Sequence, residues 1–439
     1  MKFFHISDLH IGLKLLNRDL REDQEYILGQ IVKLAEKEKP DAVVIAGDIY
    51  DKAVPAAESV EVFDHFLEAL TAAIPEGTIM MISGNHDSAP RVNCFRSLLS
   101  RQKVYMIGMP PVRQEEKIEK VTLTDAEGAV NFYLLPFVKP SMVKQIVGVD
   151  ENGNNLSYEE TIKRLLEREN IDQAERNVLV SHQFYLPVGQ NAESVERMDS
   201  ELRTVGNIDQ VSAAVLAPFD YAALGHIHKP MKVGSEMYRY CGTPLACSVS
   251  EAGQQKGVIM VELVRKPQTP GMEEDKELPG SSLQEGTWAD REQAKADTKK
   301  NIQTEKKKEG NSREEKQGEC VSEKAPGIRT TVLPLEPLRR VQIIKGTLEE
   351  VLAQGCQDYV TVVLTDKADR DVFDMKERLH LAFPYLLEIR RENVRKADYS
   401  RKAGDHRKQD PFSLCCSILK DLSEEEKALL QDVINTVHI

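Results

Sequence analysis

Five apolar runs of this 439-residue sequence each end in side chains that commonly bind metal ions. The runs read KFFHIS, AVVIAG, TIMMISG, NVLVS and YAALG, and each has the length and composition of a buried strand. The polar residues that follow them are Asp8, His10, Asp48, Asn85, His86, Asp87, His182, His226 and His228. Because ligands of α/β sheets bind outside the carboxyl ends of the strands, we expect these side chains to meet in one site. The remaining histidines are expected to be structural or surface residues: His5, His65, His380, His406 and His438.

The residue types at these strand ends predict a centre for divalent metal ions. Carboxylates, an amide carbonyl and imidazoles, with no cysteine among them, suit manganese, iron or zinc. Seven such donors exceed what one six-coordinate ion can bind while it keeps one coordination position open for water. The donors therefore divide into two sets that share a bridging carboxylate. Paired ions about 3.5–4 Å apart assist in-line displacement at phosphorus. The sequence therefore predicts hydrolysis of a phosphoester.

Helical patterns alternate with the early apolar runs. One covers Asp23–Glu38, with Tyr26 on its apolar face, and another covers Ala57–Ala73, with Val60 on its apolar face. Strand–helix alternation followed by a strand-rich half predicts an α/β domain over residues 1–264, with helices outside packed sheets.

The rest of the chain divides into three parts. Residues 265–328 are highly charged and poor in large apolar residues, which predicts a disordered insertion or linker. Residues 329–398 have the pattern of a small α/β domain, and residues 399–439 combine a basic stretch with an amphipathic helix. The tail helix either packs on its own domain or docks on a partner. The basic segment Arg390–Lys408 either binds DNA phosphates or is a solvated linker.

Composition excludes several protein classes. The chain is 41% hydrophobic and 29% charged, and its apolar runs are far shorter than the roughly 20 residues of a membrane span. The N-terminus lacks a signal-peptide pattern and the seven cysteines have no C-x-x-C spacing, so we expect a reduced, soluble, intracellular protein. The net charge of -13 opposes nucleic-acid binding unless metal ions or a basic patch reverse the local field. No P-loop sequence occurs, so ATP hydrolysis would require a separate chain.

The order D-x-H, G-D, G-N-H-D, H and G-H-x-H resembles the calcineurin-like metallophosphoesterase superfamily. Within it, FFHISDLHIG, AGDIYDKAVP, SGNHDS, VLVSHQF and LGHIHKPM are most similar to nuclease subunits of the bacterial SbcCD type. The resemblance implies a four-layer α/β/β/α sandwich, followed by a small C-terminal α/β capping domain and a helical tail.

The resemblance also implies a role for each site residue. One ion would be held by Asp8, His10, Asp48 and His228, and a second by Asp48, Asn85, His182 and His226. His86 matches the catalytic histidine, which protonates the leaving oxygen or stabilises charge on the phosphate, and Asp87 would orient His86 or its loop. The family usually works with manganese. Asp51 stands where archaeal relatives carry a phosphate-contacting histidine, and Thr243 stands where serine is common.

The function that the resemblance implies is a two-metal DNA nuclease of the bacterial cytoplasm. It would act as an ATP-dependent 3'-to-5' exonuclease on duplex DNA and an endonuclease on single strands and hairpins, in repair and recombination. Its partners would be DNA and an SbcC-like coiled-coil ATPase, with two copies of the chain in a heterotetramer. The alternatives are a small-molecule phosphodiesterase or phosphatase with nearly the same ligands, and a non-catalytic scaffold for DNA ends.

Overall fold

The computed structural model describes residues 1–190, 198–199, 201, 209–264, 327–366, 372–392, 423 and 426–427. The strands are β1 (Lys2–Ile6), β2 (Lys14–Leu15), β3 (Arg18–Asp19), β4 (Ala42–Ala46), β5 (Thr78–Ile82), β6 (Val104–Ile107), β7 (Glu119–Asp125), β8 (Gly128–Leu135), β9 (Arg176–His182), β10 (Phe184–Leu186), β11 (Gln210–Ser212), β12 (Tyr221–Gly225), β13 (Met231–Val233), β14 (Ser235–Tyr240), β15 (Lys256–Leu263), β16 (Ile328–Leu335), β17 (Val341–Gly346), β18 (Tyr359–Leu364) and β19 (Leu386–Arg391). The α-helices are α1 (Arg21–Glu38), α2 (Ala57–Ala73), α3 (Ala89–Val92), α4 (Arg96–Leu99), α5 (Pro140–Val147), α6 (Tyr158–Glu167), α7 (Leu348–Leu352) and α8 (Val372–Ala382). Short 3-10 helices cover Ser100–Gln102, Ala213–Leu216 and Val249–Glu251.

Two six-stranded mixed sheets form the main domain. The first has the order β16-β15-β1-β4-β5-β6 and the second the order β13-β14-β12-β9-β8-β7. In the first sheet β1, β4, β5 and β6 run parallel, and in the second β8, β9, β12 and β14 do. The parallel strands are buried on both faces, which explains why their sequences are continuous apolar runs.

Helices cover the outer face of each sheet. Ile31 of α1 and Phe66 of α2 pack in the core on the first sheet, whereas Val143 of α5 and Leu165 of α6 pack in the core on the second. A third apolar cluster lies between the sheets. The predicted four-layer α/β/β/α sandwich is therefore confirmed.

Aromatic side chains fill the space between the two sheets. The Phe3 ring lies 5.3 Å from the Phe132 ring and 5.8 Å from the Tyr221 ring, both edge-to-face. His5 is fully buried beside them, with its Nδ1 atom 3.1 Å from the Tyr221 hydroxyl and its Nε2 atom 3.2 Å from the Leu224 carbonyl. Burial lowers the pKa of His5 to about 3. His5 is thus the structural residue that the sequence predicted.

The two helices that the sequence predicted, α1 and α2, are present, but their predicted apolar faces are partly wrong. In α1 the sheet-facing residues are Ile27, Ile31 and Ala35, spaced four apart, and Tyr26 lies beside this stripe with 45% of its surface exposed. In α2 the buried stripe includes Phe63, Phe66 and Leu70, and Val60 lies beside it with 44% of its surface exposed. Lys39, in the left-handed conformation, ends α1.

The predicted boundary of the capping domain at residue 329 is wrong. Residues Ile328–Leu335 form β16, which pairs antiparallel with β15 along its whole length at the edge of the first sheet. The main domain therefore has two chain segments, and residues 265–326, which include nearly all of the predicted insertion, lie outside the described residues.

A small domain follows β16. Its three parallel strands have the order β17-β18-β19, and its separate apolar core includes Val351 of α7, Leu379 of α8 and Phe383, which follows α8. Residues 393–422, which include most of the predicted basic segment, and nearly all of the predicted tail helix lie outside the described residues. Within the described part of the chain, no helix combines the length and apolarity that crossing a bilayer requires.

A buried charge cluster joins the small domain to α1. Arg339 Nη1 donates to Asp23 Oδ2 at 2.8 Å, and the Tyr359 hydroxyl donates to the same oxygen at 2.7 Å. The Arg339 guanidinium also lies 4.5 Å from the centre of the Tyr385 ring, and its Nη2 atom donates to Glu22. These contacts fix the small domain against the outer helix of the first sheet.

Candidate metal centre

The predicted site residues lie at the carboxyl ends of strands from both sheets. Asp8 and His10 follow β1, Asp48 follows β4, and Asn85 and His86 follow β5, all in the first sheet. His182 is the last residue of β9, whereas His226 and His228 follow β12 in the second sheet. Because the strands within each group are parallel, their carboxyl ends share one edge, and the two edges face each other across the sandwich.

The backbone is forced into the left-handed region at four of these residues. The φ angles are 53° at Asp8, 43° at His10, 50° at Asp48 and 104° at His226. Non-glycine residues adopt such angles rarely, at a cost of order 1–3 kcal/mol each, and such residues cluster at functional sites. These turns lie in the loops whose side chains converge on one cluster of donor atoms.

Two glycines allow the loops to approach each other. A Cβ atom on Gly84 would lie 2.1 Å from Asp48 Oδ1 and 2.5 Å from Asp48 N. A Cβ atom on Gly225 would lie 2.0 Å from the Ala46 carbonyl oxygen and 2.8 Å from His182 Nδ1. Gly84 is therefore required for close packing against Asp48, and its φ is not in the left-handed region.

Asp48 lies at the centre of the cluster. Its Oδ2 atom is 3.2 Å from His182 Nε2 and 3.7 Å from His10 Nε2, so one oxygen faces both groups of donors. Its Oδ1 atom accepts the backbone N–H of His86 at 2.9 Å. Asp48 thus has the position of a bridging carboxylate.

One group of donors surrounds the Asn85 amide oxygen. His182 Nε2 lies 3.0 Å from Asn85 Oδ1, and His226 Nδ1 lies 2.9 Å from the same atom. His182 Nδ1 donates to the Ala46 carbonyl oxygen at 2.7 Å, because a carbonyl can only accept. The Nε2 atom of His182 is therefore the ring nitrogen that faces the other donors and would bind an ion once it has lost its proton.

The other group contains Asp8, His10 and His228, whose ligand atoms all lie within 4.8 Å of one another. The Nε2 atoms of His10 and His228 face each other at 3.1 Å. The Asp8 carboxylate accepts the N–H of His226 at 3.0 and 3.2 Å, which links this group to the second sheet. Among the described residues, no partner satisfies the buried His10 Nδ1 atom.

The electrostatics of the cluster favour an added cation. Burial raises the pKa of Asp8 to about 6, although the charges of His182 and His228 oppose this. Burial alone would also raise the pKa of Asp48, but its contacts with His182 and His10 hold it well below its usual range. Burial would lower the pKa of His182, but the charge and hydrogen bond of Asp48 outweigh this and raise it to about 9. The buried carboxylates thus retain a proton on His182, and a divalent ion would replace it.

His86 lies at the open side of the cluster. Its ring is 4.7 Å from the His10 ring, and its Nδ1 atom donates to the Asp51 carbonyl oxygen at 2.9 Å. The Asp87 carboxylate accepts three backbone N–H groups, from Ile49, Tyr50 and Gly84. Asp87 therefore ties the loop after β4 to the loop after β5, in agreement with its predicted role.

Comparison with known families identifies this arrangement. Residues 1–230, more than half of the chain, match the family described as Calcineurin-like phosphoesterase. The chain belongs to the calcineurin-like phosphoesterase family. It is accordingly a metal-dependent hydrolase, as its residues predicted.

Several individual proteins resemble this phosphoesterase. The SbcD subunit of the nuclease SbcCD from Staphylococcus epidermidis is 30% identical over 265 residues, which are 60% of this chain and 66% of that protein. The similarity thus spans slightly less than two thirds of the relative. A solved structure from Thermus thermophilus is 13% identical, with coverage of 58% of this chain and 92% of that one and a TM-score of 0.34. A dimetal phosphatase from Danio rerio is 16% identical, with coverage of 60% and 92% and a TM-score of 0.33.

The donor set of this phosphoesterase fits divalent metal ions. Two carboxylates, an amide oxygen and four imidazoles converge, and clusters of three donor atoms that could hold an ion recur through the site. The unsatisfied His10 Nδ1 and the facing Nε2 atoms of His10 and His228 are further signs that these donors suit a cation.

The sequence predictions missed a second layer of residues behind His228. Glu251 lies with its Oε1 atom 3.6 Å from His228 Nδ1, Glu201 accepts the His228 N–H at 3.0 Å, and Lys256 donates to the His228 carbonyl oxygen at 3.0 Å. None of the three follows a strand in the pattern of the other site residues. No spacing signal in one sequence could have singled them out.

Proposed function

We propose that this phosphoesterase is a two-metal DNA nuclease, the nuclease subunit of an SbcCD-like complex. The observation that carries the proposal is the complete donor set around Asp48, in which one carboxylate oxygen faces both histidine groups. The 30% identity to a protein named as part of the nuclease SbcCD supports DNA as the substrate.

The two ions would share Asp48. The first would be held by Asp8, His10, Asp48 and His228, and the second by Asp48, Asn85, His182 and His226. When bound, divalent ions supply Lewis-acid stabilisation of charge on a phosphoester and activation of water near neutral pH. Manganese suits this mixture of oxygen and nitrogen donors.

His86 is proposed to act on the leaving oxygen. Because the Asp51 carbonyl oxygen can only accept, His86 Nδ1 carries a proton and Nε2 is the atom that exchanges protons with substrate. A protonated His86 would donate from Nε2 to the departing 3'-oxygen or stabilise negative charge on the phosphate. The hydrogen bond from the His86 N–H to Asp48 Oδ1 keeps its ring beside the metal ligands.

The parts of the chain outside the site favour a large substrate. A separate α/β domain held by Arg339 stands next to the main domain, and a small phosphoester would not require it. The basic segment Arg390–Lys408 supplies charge for phosphate binding in an otherwise acidic chain. A non-catalytic scaffold is disfavoured because all seven ligands and His86 are present and converge.

The finer functional assignments follow from the same proposal. The chain would act in the bacterial cytoplasm as an ATP-dependent 3'-to-5' exonuclease on duplex DNA and an endonuclease on single strands and hairpins, in repair and recombination. Since the sequence carries no P-loop, ATP would be hydrolysed by an SbcC-like coiled-coil ATPase. That partner would dock on residues 399–439, and two copies of this chain would form a homodimer within a heterotetramer.

The test is manganese-dependent cleavage of end-labelled duplex and hairpin DNA, with and without the ATPase partner and ATP. His86→Ala should abolish cleavage, whereas the control His65→Ala, which changes an exposed histidine of α2, should cleave like the wild type. Absence of DNA cleavage under all conditions, combined with rapid hydrolysis of a small phosphodiester, would refute the nuclease and favour the small-molecule enzyme.

A further inference from the structure

A buried carboxylate lies behind His228, on the side opposite the proposed metal ion. Glu251 ends the 3-10 helix Val249–Glu251, and its side chain is completely buried. Its Oε1 atom is 3.6 Å from His228 Nδ1, while His228 Nε2 points the other way, towards His10. The two ring nitrogens of His228 thus face a fixed anion and the donor cluster.

Both oxygens of Glu251 are held in place by other groups. The Ser248 hydroxyl donates to Oε1 at 3.0 Å and the Cys247 N–H donates to it at 3.2 Å. The Thr243 hydroxyl donates to Oε2 at 3.0 Å and Lys256 Nζ donates to it at 2.6 Å. Glu251 is therefore an immobile acceptor, held by four donors of which one is the Lys256 ammonium group.

The backbone of His228 is fixed by the same region. Lys256 Nζ, besides its bond to Glu251, donates to the His228 carbonyl oxygen at 3.0 Å, and Glu201 Oε1 accepts the His228 N–H at 3.0 Å. Lys256 and Glu201 thus fix the backbone of His228, while Glu251 faces its ring. By comparison, His182 turns its Nδ1 atom to a neutral backbone carbonyl.

This region is not a third metal site, although His228, Cys247 and Glu251 could supply three donor atoms. The ammonium group of Lys256, 2.6 Å from Glu251, already supplies the positive charge there. Burial raises the pKa of the Cys247 thiol well above its ordinary value, so the sulfur is a neutral thiol.

We propose that Glu251 is a positioning residue for His228, and that it sets the affinity of the metal site formed by Asp8, His10 and His228. The carboxylate holds the proton on His228 Nδ1, which leaves the Nε2 lone pair directed at the ion. Carboxylates in this position typically contribute 10- to 100-fold in metal affinity. The inference rests on the proposed two-metal centre and adds a residue to it.

The substitution Glu251→Gln tests this with little change in shape. Lys256 requires an oxygen at the Oε2 position, so the amide NH2 group must take the Oε1 position. There it presents hydrogens to the Cys247 N–H and to the Nδ1 proton of His228. The matched control is Asp23→Asn, which neutralises an equally buried carboxylate paired with Arg339, on α1 and outside the donor cluster.

Calorimetric titration with Mn²⁺ measures the effect without relying on activity. The wild type and Asp23→Asn should each bind two ions, and Glu251→Gln should bind one ion normally and the other about 10- to 100-fold more weakly. Loss of affinity at one site only is an outcome that general destabilisation does not produce. Two unchanged affinities in Glu251→Gln would overturn the role of Glu251 alone, whereas a wild type that binds no Mn²⁺ would overturn the proposed metal centre as well.

A second measurement reads the protonation state of the wild type directly, and a variant serves only to assign the signal. Nitrogen-15 NMR of the metal-free wild type reports which ring nitrogen of each histidine carries the proton. His228, assigned by comparison with His228→Gln, should be protonated at Nδ1. A proton on Nε2 with a bare Nδ1 would contradict the inference.

Discussion

Substitution of Gly84 by alanine should disable the metal centre while leaving the fold intact. The added Cβ atom would lie 2.1 Å from Asp48 Oδ1 and 2.7 Å from Asp48 Cγ, whereas ordinary contacts begin near 3.4 Å. The carboxylate must therefore move by more than an ångström, or the loop after β5 must move away from it. Either movement breaks the bond from the His86 N–H to Asp48.

The size of the effect follows from this displacement. A misplacement of about 1 Å in a reacting group costs about 100-fold in rate, which corresponds to about 2.7 kcal/mol of activation free energy. Because Asp48 would serve both ions, we expect kcat/KM to fall at least about 100-fold and Mn²⁺ affinity to fall at both sites. Overpacking of this kind lowers the free energy of unfolding by about 1–3 kcal/mol.

The assay is Mn²⁺-dependent hydrolysis of bis(p-nitrophenyl) phosphate, since this small substrate reports on the metal centre without DNA binding. Urea unfolding gives the stability, and calorimetry gives the Mn²⁺ affinities. The control is Gly29→Ala in the middle of α1, where a Cβ atom meets nothing within 4 Å. It should retain full activity and raise the free energy of unfolding by about 0.5–1 kcal/mol.

The reasoning fails if Gly84→Ala hydrolyses the substrate within about threefold of the wild type and still binds two ions. It also fails if Gly29→Ala loses as much activity as Gly84→Ala, because the loss would then not depend on contact with Asp48.

Three further predictions concern stability. Arg339→Ala should lower the free energy of unfolding by about 3–5 kcal/mol in urea titrations, because it leaves the Asp23 carboxylate buried without its cation; a change below about 1 kcal/mol would contradict this. Asp87→Ala should cost about 3 kcal/mol, since three backbone N–H groups lose their acceptor, and an unchanged melting temperature would show that the loops do not need it. Hydrogen bonding to Arg176 holds the pKa of Asp125 in the folded protein well below its ordinary value of 3.8. The stability that this carboxylate contributes is therefore complete above pH 3.8 and is lost as the pH falls through the folded-state pKa. Asp125→Asn should therefore lose less stability than the wild type when pH is lowered from about 5 to about 3, and equal losses would refute the assignment.

Much of the metal centre could be predicted from sequence because its residues follow a local rule. Each donor comes directly after a short apolar run, and parallel strands bring their carboxyl ends together whatever the order of the strands. Asp8, Asp48 and His226 could be found in this way without knowledge of the loops. The left-handed φ angles of these three residues could not, because only the packing of the surrounding chain imposes them.

Other features escaped prediction for a physical reason. The strand β16 follows β15 only after 64 residues, and its pairing in the first sheet is a contact between positions that are distant in sequence. Glu251, whose carboxylate faces the His228 ring, lies 23 residues further along, in a short 3-10 helix that has no periodic pattern. The helix α6, in contrast, carries a readable signal, since the Ser157 side chain caps the N–H of Glu160.

The most direct test of the two-metal centre is anomalous diffraction from crystals grown with Mn²⁺. The account predicts two peaks about 3.5–4 Å apart on either side of Asp48, one next to His10 and His228 and the other next to Asn85, His182 and His226. A single peak, or peaks away from Asp48, would contradict it.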